Sequence, residues 1–161
     1  MGTILGALGA PFEGRTRGHM LKLHGLTKGY EKITGYPIGQ YTDDTQMTLA
    51  LTESIILKKK IDGQDIANRF ASLWRNNTII GGGACRDAMM NIIVREASFE
   101  ESGVEIGRAG NGSAMRTSPI GLFDSDDLMS LKADAITQST ITHNDNRASA
   151  GAATVSLAIY Y

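Results

Sequence analysis

Residues 41–61, YTDDTQMTLALTESIILKKKI, decide the fold. From Asp43 onward, Met47, Leu49, Ala50, Leu51, Ile55, Ile56 and Leu57 spread round most sides of a helix, the pattern of one placed centrally in its fold. Thr42 or Asp43 suits its N-cap, and early carboxylates favour the positive end of the helix dipole. The closing Lys58-Lys59-Lys60 reads as a solvated last turn that complements the negative end.

Working outward, Ile66, Phe70, Leu73 and Trp74 fall at i, i+4, i+7 and i+8, the stripe of a second helix that begins near Asp62 or Asp65. A third helix is predicted from Cys85 to about Ala97. Ser125-Asp126-Asp127 opens a fourth that carries Leu128, Leu131 and Ala135. A fifth runs from about Asn144 to the end, with Ala148, Ala152, Val155 and Ile159 on one face. Lys32 to Tyr36 is the one strand-like piece, and no internal repeat or low-complexity linker interrupts the pattern. The expected architecture is all-α, and 161 residues make one ordinary domain.

Composition narrows the function classes. A net charge of −1 gives no basic field for nucleic acid or an anionic membrane. One cysteine, Cys85, cannot form an internal disulfide or a thiolate cluster, and it reads as a buried or idle thiol. No apolar run approaches the ~20 residues that span a bilayer, and MGTILGALGAPF lacks the basic start of a signal peptide. A soluble, cytoplasmic protein is expected.

Chemistry concentrates at Thr42-Asp43-Asp44. Two readings stand side by side. Helix capping alone accounts for these residue types. A hydroxyl and two adjacent carboxylates also make a compact all-oxygen set, which selects magnesium, manganese or calcium over zinc or copper. Three groups leave an octahedron incomplete, so water, substrate or another segment supplies the rest. Gly81-Gly82-Gly83 and Gly110-Asn111-Gly112 each precede a helix. They are either plain connectors or places where backbone N–H groups meet an anion.

The string YTDDTQMTLAL, Tyr41 to Leu51, resembles the signature of the ADP-ribosylglycohydrolase family. Three further segments match in the family's order: GALGAPFEG (Gly6 to Gly14), GNGSAMRTSPIGLF (Gly110 to Phe123) and THNDNRASAGAA (Thr142 to Ala153). The resemblance implies an all-α, multi-helix fold with two magnesium ions, manganese being the alternative. It assigns Thr42, Asp43 and Asp44 to the metals and sets Glu13 beside the scissile ribose, so Glu13, Asp43 and Asp44 are the candidate catalytic residues. Gly110, Asn111, Gly112 and Ser113 become candidate contacts to ADP-ribose, Gly82 and Gly83 match a loop near the diphosphate, and His143 faces the substrate.

The implied reaction is magnesium-dependent hydrolysis of the glycosidic bond between ADP-ribose and a protein side chain or small-molecule acceptor, through an oxocarbenium-like state. Glu13 would act there as acid, base or gate. The alternative is a catalytically inactive relative that uses the fold structurally, as crystallin-like members do, or an inactive fragment.

Two departures stand out. Gly6 occupies the place where the family carries aspartate, and the family's second metal motif, Asp-x-Asp-Thr, is absent from these 161 residues. The last helix carries no stop signal. Residues 1–161 are therefore read as the amino-terminal part of a single domain, with little hydrolysis expected from them alone. The motifs do not distinguish arginine, serine or O-acetyl linkages.

Overall fold

The computed structural model describes residues 2–25, 29–32, 37–76, 81–105, 107, 110–123 and 127–161. Among them run α1 (Gly2–Gly9), a 3-10 turn (Ala10–Phe12), α2 (Arg17–His24), α3 (Asp43–Lys58), α4 (Gly63–Arg75) and α5 (Gly83–Arg95). They are followed by α6 (Phe99–Ser102), α7 (Ser118–Phe123), α8 (Leu128–Thr140) and α9 (Asn146–Tyr160). No strand occurs among the described residues; a lone parallel bridge joins Val104 to His143. The strand-like piece at Lys32–Tyr36 lies mostly outside the described residues, as do Ser125 and Asp126. No described helix is long and apolar enough to cross a membrane.

Caps set the helix starts. The Asp62 side chain accepts from the Asp65 N–H, so α4 begins at Gly63. Asp127 caps α8 and Asp145 caps α9 in the same way. Thr42 occupies the N-cap position of α3 but makes no capping bond with its side chain, so capping does not account for its hydroxyl.

The core joins Met47 and Leu51 of α3, Ile66 and Phe70 of α4, Met89 of α5, Ile120 of α7 and Leu131 of α8. Within residues 1–161, α3 buries part of its apolar surface. Thr45, Gln46, Met47, Ala50, Leu51, Ser54 and Ile55 are buried, whereas Leu49, Ile56 and Leu57 are exposed. Polar contacts fasten α3 to α4: Ser54 Oγ donates to Asp65 Oδ2 at 2.7 Å, and Arg69 reaches both Asp65 (2.6 Å) and Glu53 (2.7 Å). The lysine run is not merely solvated. Lys58 lies 3.6 Å from Asp65 and Lys60 3.5 Å from Asp62, while Lys59 takes the left-handed conformation that ends the helix. These pairs are exposed enough that each contributes about 0–1 kcal/mol.

Helices α7 and α8 pack along α9. The buried face of α9 is Ala148, Ala152 and Ser156, with Val155 and Ile159 turned outward at its edge. The contact between α7 and α9 is close: Thr117 Oγ1 and Ser156 Oγ share a buried hydrogen bond of 2.6 Å, and Gly121 lies directly on the Ser156 carbonyl.

Candidate active site

Five separate stretches converge on one cleft of about 330 Å³. It is lined by Glu13 from the end of the 3-10 turn, Asp43 and Asp44 from the first turn of α3, and Gly81 to Cys85 at the start of α5. Gly110, Asn111, Gly112 and Met115 come from the loop before α7, and His143 from the turn between α8 and α9. Thus Glu13, Asp43, Asp44, Gly82, Gly83, Gly110, Asn111, Gly112 and His143 share a site although they span 131 positions, from 13 to 143 counted inclusively.

Two residues of the expected set are not among those lining the cleft. Ser113 is fully buried and its hydroxyl donates to the Ala148 carbonyl at 3.1 Å, which ties the loop to α9. Thr42 is buried behind the acidic pair, donating to Asp44 Oδ2 at 2.8 Å. Its hydroxyl stays with the Asp44 carboxylate.

The acidic end is strained by burial and by repulsion. Burial, with Asp44 and Glu13 close by, pushes the Asp43 carboxyl up to about 6, against weaker help from backbone N–H groups including that of Gly82. A carboxylate pair with a hydroxyl behind it suits a hard dication, which would reverse that penalty. The set is partial, since no three His, Cys, Asp or Glu side chains among the described residues gather closely enough to hold an ion.

The other end is built on His143. It is 2% exposed, and the residues around it are pinned from two sides. Val104 N–H donates to the Thr142 carbonyl and the Val104 carbonyl accepts from Asn144 N–H, while Ser102 Oγ donates to the Ile141 carbonyl at 2.8 Å. The backbone of Gly110 and Gly112 lies close against the imidazole edge. A β-carbon on Gly112 would stand 2.6 Å from His143 Cε1 and 3.1 Å from Cys85 Sγ. Burial first, and Arg116 second, push the His143 pKa down to about 4, with Asp145 opposing.

His143 is therefore neutral at pH 7. An unfolded histidine takes its proton near 6.5. The stability that His143 contributes is complete above that value and lost as pH falls from about 6.5 toward 4. In a proton NMR titration its ring signal should hold the neutral position down to about pH 5. A midpoint at or above 6.5 would contradict this account.

Sequence reasoning missed Ala84, Cys85 and Met115 as lining residues. Cys85 is buried as expected, and burial raises its thiol pKa, yet its sulfur borders the cleft beside Gly112. Its place in the first turn of a glycine-entered helix was the available signal.

An acidic helix start thus faces glycine loops across one cleft of an all-α frame. A sequence model of the ADP-ribosylglycohydrolase family matches residues 1–161, and the chain belongs to that family. It is 31% identical over its whole length to the ADP-ribosyl-[dinitrogen reductase] glycohydrolase of Rhodospirillum rubrum, covering 56% of that protein. It is 32% identical over 99% of its length to the ADP-ribosylhydrolase ARH3 of Gallus gallus, covering 47% of it. A solved structure titled ADP-ribosylglycohydrolase-related protein complex superposes with a TM-score of 0.77 at 29% identity, covering 97% of this chain and 51% of the other. The chain spans about half the length of these relatives.

Proposed function

We propose that this chain forms the amino-terminal part of a hydrolase that cleaves ADP-ribose from a protein or small-molecule conjugate in the presence of magnesium. The observation that carries the reading is the convergence of Glu13, Asp43 and Asp44 with both glycine loops and His143 on one cleft. Relatives named as hydrolases of ADP-ribosylated dinitrogen reductase and of ADP-ribosylarginine support the substrate class.

Residue roles follow from position. The N–H groups at the start of α5 and in the Gly110–Gly112 loop suit the diphosphate, and α5 is long enough for its dipole to add to them. Asp43 and Asp44 would hold the metal, with Thr42 fixing the Asp44 carboxylate. Bound there, magnesium would supply Lewis acidity and charge neutralisation at the ribose hydroxyls. Glu13 is exposed at the rim, where a carboxylate can exchange protons with water and the leaving group. The ligands still missing come from water, substrate or residues beyond the described set.

The test pairs the 161-residue chain with a version extended to family length, on ADP-ribosylated arginine and serine peptides, with magnesium or manganese. The extended protein should hydrolyse one of them and the short chain little. Calorimetry should give tighter binding of ADP-ribose than of AMP. Equal affinity for AMP, or an extended protein inert with both ions, would remove the reading.

A further inference from the structure

Behind the cleft lies a charge that the roles above do not use. Arg116 is fully buried, and among the described residues no carboxylate pairs with it. Its guanidinium sits 4.5 Å over the Phe70 ring, and Nε donates to Gln138 Oε1 at 2.7 Å. Nη2 donates to the Gln138 carbonyl at 2.7 Å and to Thr142 Oγ1 at 2.8 Å, and Nη1 points at Met47 Sδ. Burying an unpaired cation is costly, and apolar side chains of similar volume would pack this space at less expense. Packing alone therefore does not explain an arginine here.

The chain of contacts leads to the cleft. Thr142 Oγ1 lies 2.8 Å from His143 Nδ1, and His143 Nε2 faces the two glycines of the opposite loop. The Thr142 hydroxyl has one proton. Arg116 can only donate, so it takes a lone pair of that oxygen. The proton then goes to His143 Nδ1, its best remaining acceptor. In the reverse arrangement Nδ1 carries a proton beside the guanidinium, and the hydroxyl is left with the Cys85 thiol, a weak acceptor.

We propose that Arg116 and Thr142 are positioning residues that hold His143 as the Nε2-protonated tautomer, presenting one fixed N–H donor to an oxygen of the ligand. The lowered His143 pKa agrees, since a neutral ring is what one bare nitrogen requires. The charged and titratable groups acting on the ring are Arg116 and Asp145, with Cys85 beyond Thr142; Asp145 is held by Arg147 and the Gly107 N–H. The identity of the ligand oxygen rests on the reading of the cleft as an ADP-ribose site. The tautomer does not.

The experiment uses nitrogen-15-labelled histidine in the ligand-free protein at pH 7, where only His19, His24 and His143 need assignment. Long-range proton–nitrogen spectra should give His143 a bare Nδ1 and a protonated Nε2. Thr142→Val should turn that signature into a mixture and weaken ADP-ribose binding by about tenfold. Thr142→Ser should restore both. A protonated Nδ1 in the unaltered protein, or an unchanged tautomer in Thr142→Val, overturns the proposal. If ADP-ribose fails to bind the unaltered family-length protein, the functional reading falls, and the spectra still decide the tautomer.

Discussion

Replacing Asp43 by asparagine is expected to make the metal-free protein more stable at pH 7 while costing on the order of a thousandfold in hydrolysis by the family-length enzyme, about 4 kcal/mol of barrier. The two effects share one cause. The folded carboxyl is pushed up to about 6 by burial, Asp44 and Glu13, whereas the unfolded one titrates near 3.8. Between those values the folded state binds more protons, so stability falls as pH rises through the window, and the deficit persists at pH 7. A shift of this size corresponds to about 3 kcal/mol at most. Solvent screening of a partly exposed carboxyl reduces it to about 1–2 kcal/mol. Asparagine removes the charge and keeps an oxygen for the Gly82 N–H. Chemical denaturation at pH 7 without divalent ions measures the gain. A less stable Asp43→Asn variant, or one with full activity under magnesium, would show that the acidic pair is not strained in favour of a cation.

The second large effect concerns packing. Gly121→Ala is expected to destabilise the fold by about 2–4 kcal/mol. An added β-carbon would overlap the Ser156 carbonyl oxygen and stand 2.9 Å from Ile159 Cβ. That carbonyl belongs to the backbone of α9 and cannot swing aside as a side chain would. Helix α7 must retreat instead, which breaks the buried bond between Thr117 and Ser156. Gly18→Ala is the control, since nothing lies within 4 Å of its β-carbon site. It lies inside α2, where alanine should be neutral or stabilising by about 0.5–1 kcal/mol. Equal melting behaviour of the two variants would refute the close-approach argument.

Much of this was legible from residues alone, for reasons that also explain the omissions. Helices α3, α4, α5, α8 and α9 each span 13 to 16 residues, long enough for a periodic stripe, and three begin at an aspartate cap. Helices α6 and α7 run four and six residues, too short to repeat, and α1 is broken in composition by Gly2, Gly6 and Gly9. The site residues lie in contiguous motifs, so the cleft could be named before its geometry was seen. Motif matching does not report which way a side chain turns. Ser113 sits beside Gly112 and points at α9. Nothing in the motif singles out Arg116, which only the closing of α3, α4 and α8 around it reveals as buried.

Arg116 also bears on how the helices find their alignment. Contacts rich in alanine and glycine, such as those along α9, are smooth, and apolar stripes match nearly as well one turn out of step. A guanidinium that needs Gln138, Thr142 and the Phe70 face at once tolerates no such slip. Displacing α8 by a single turn would strand a charge in a dry interior. The arginine thus serves as a key that only one docking of α8 can turn, trading some stability for a single arrangement of the bundle.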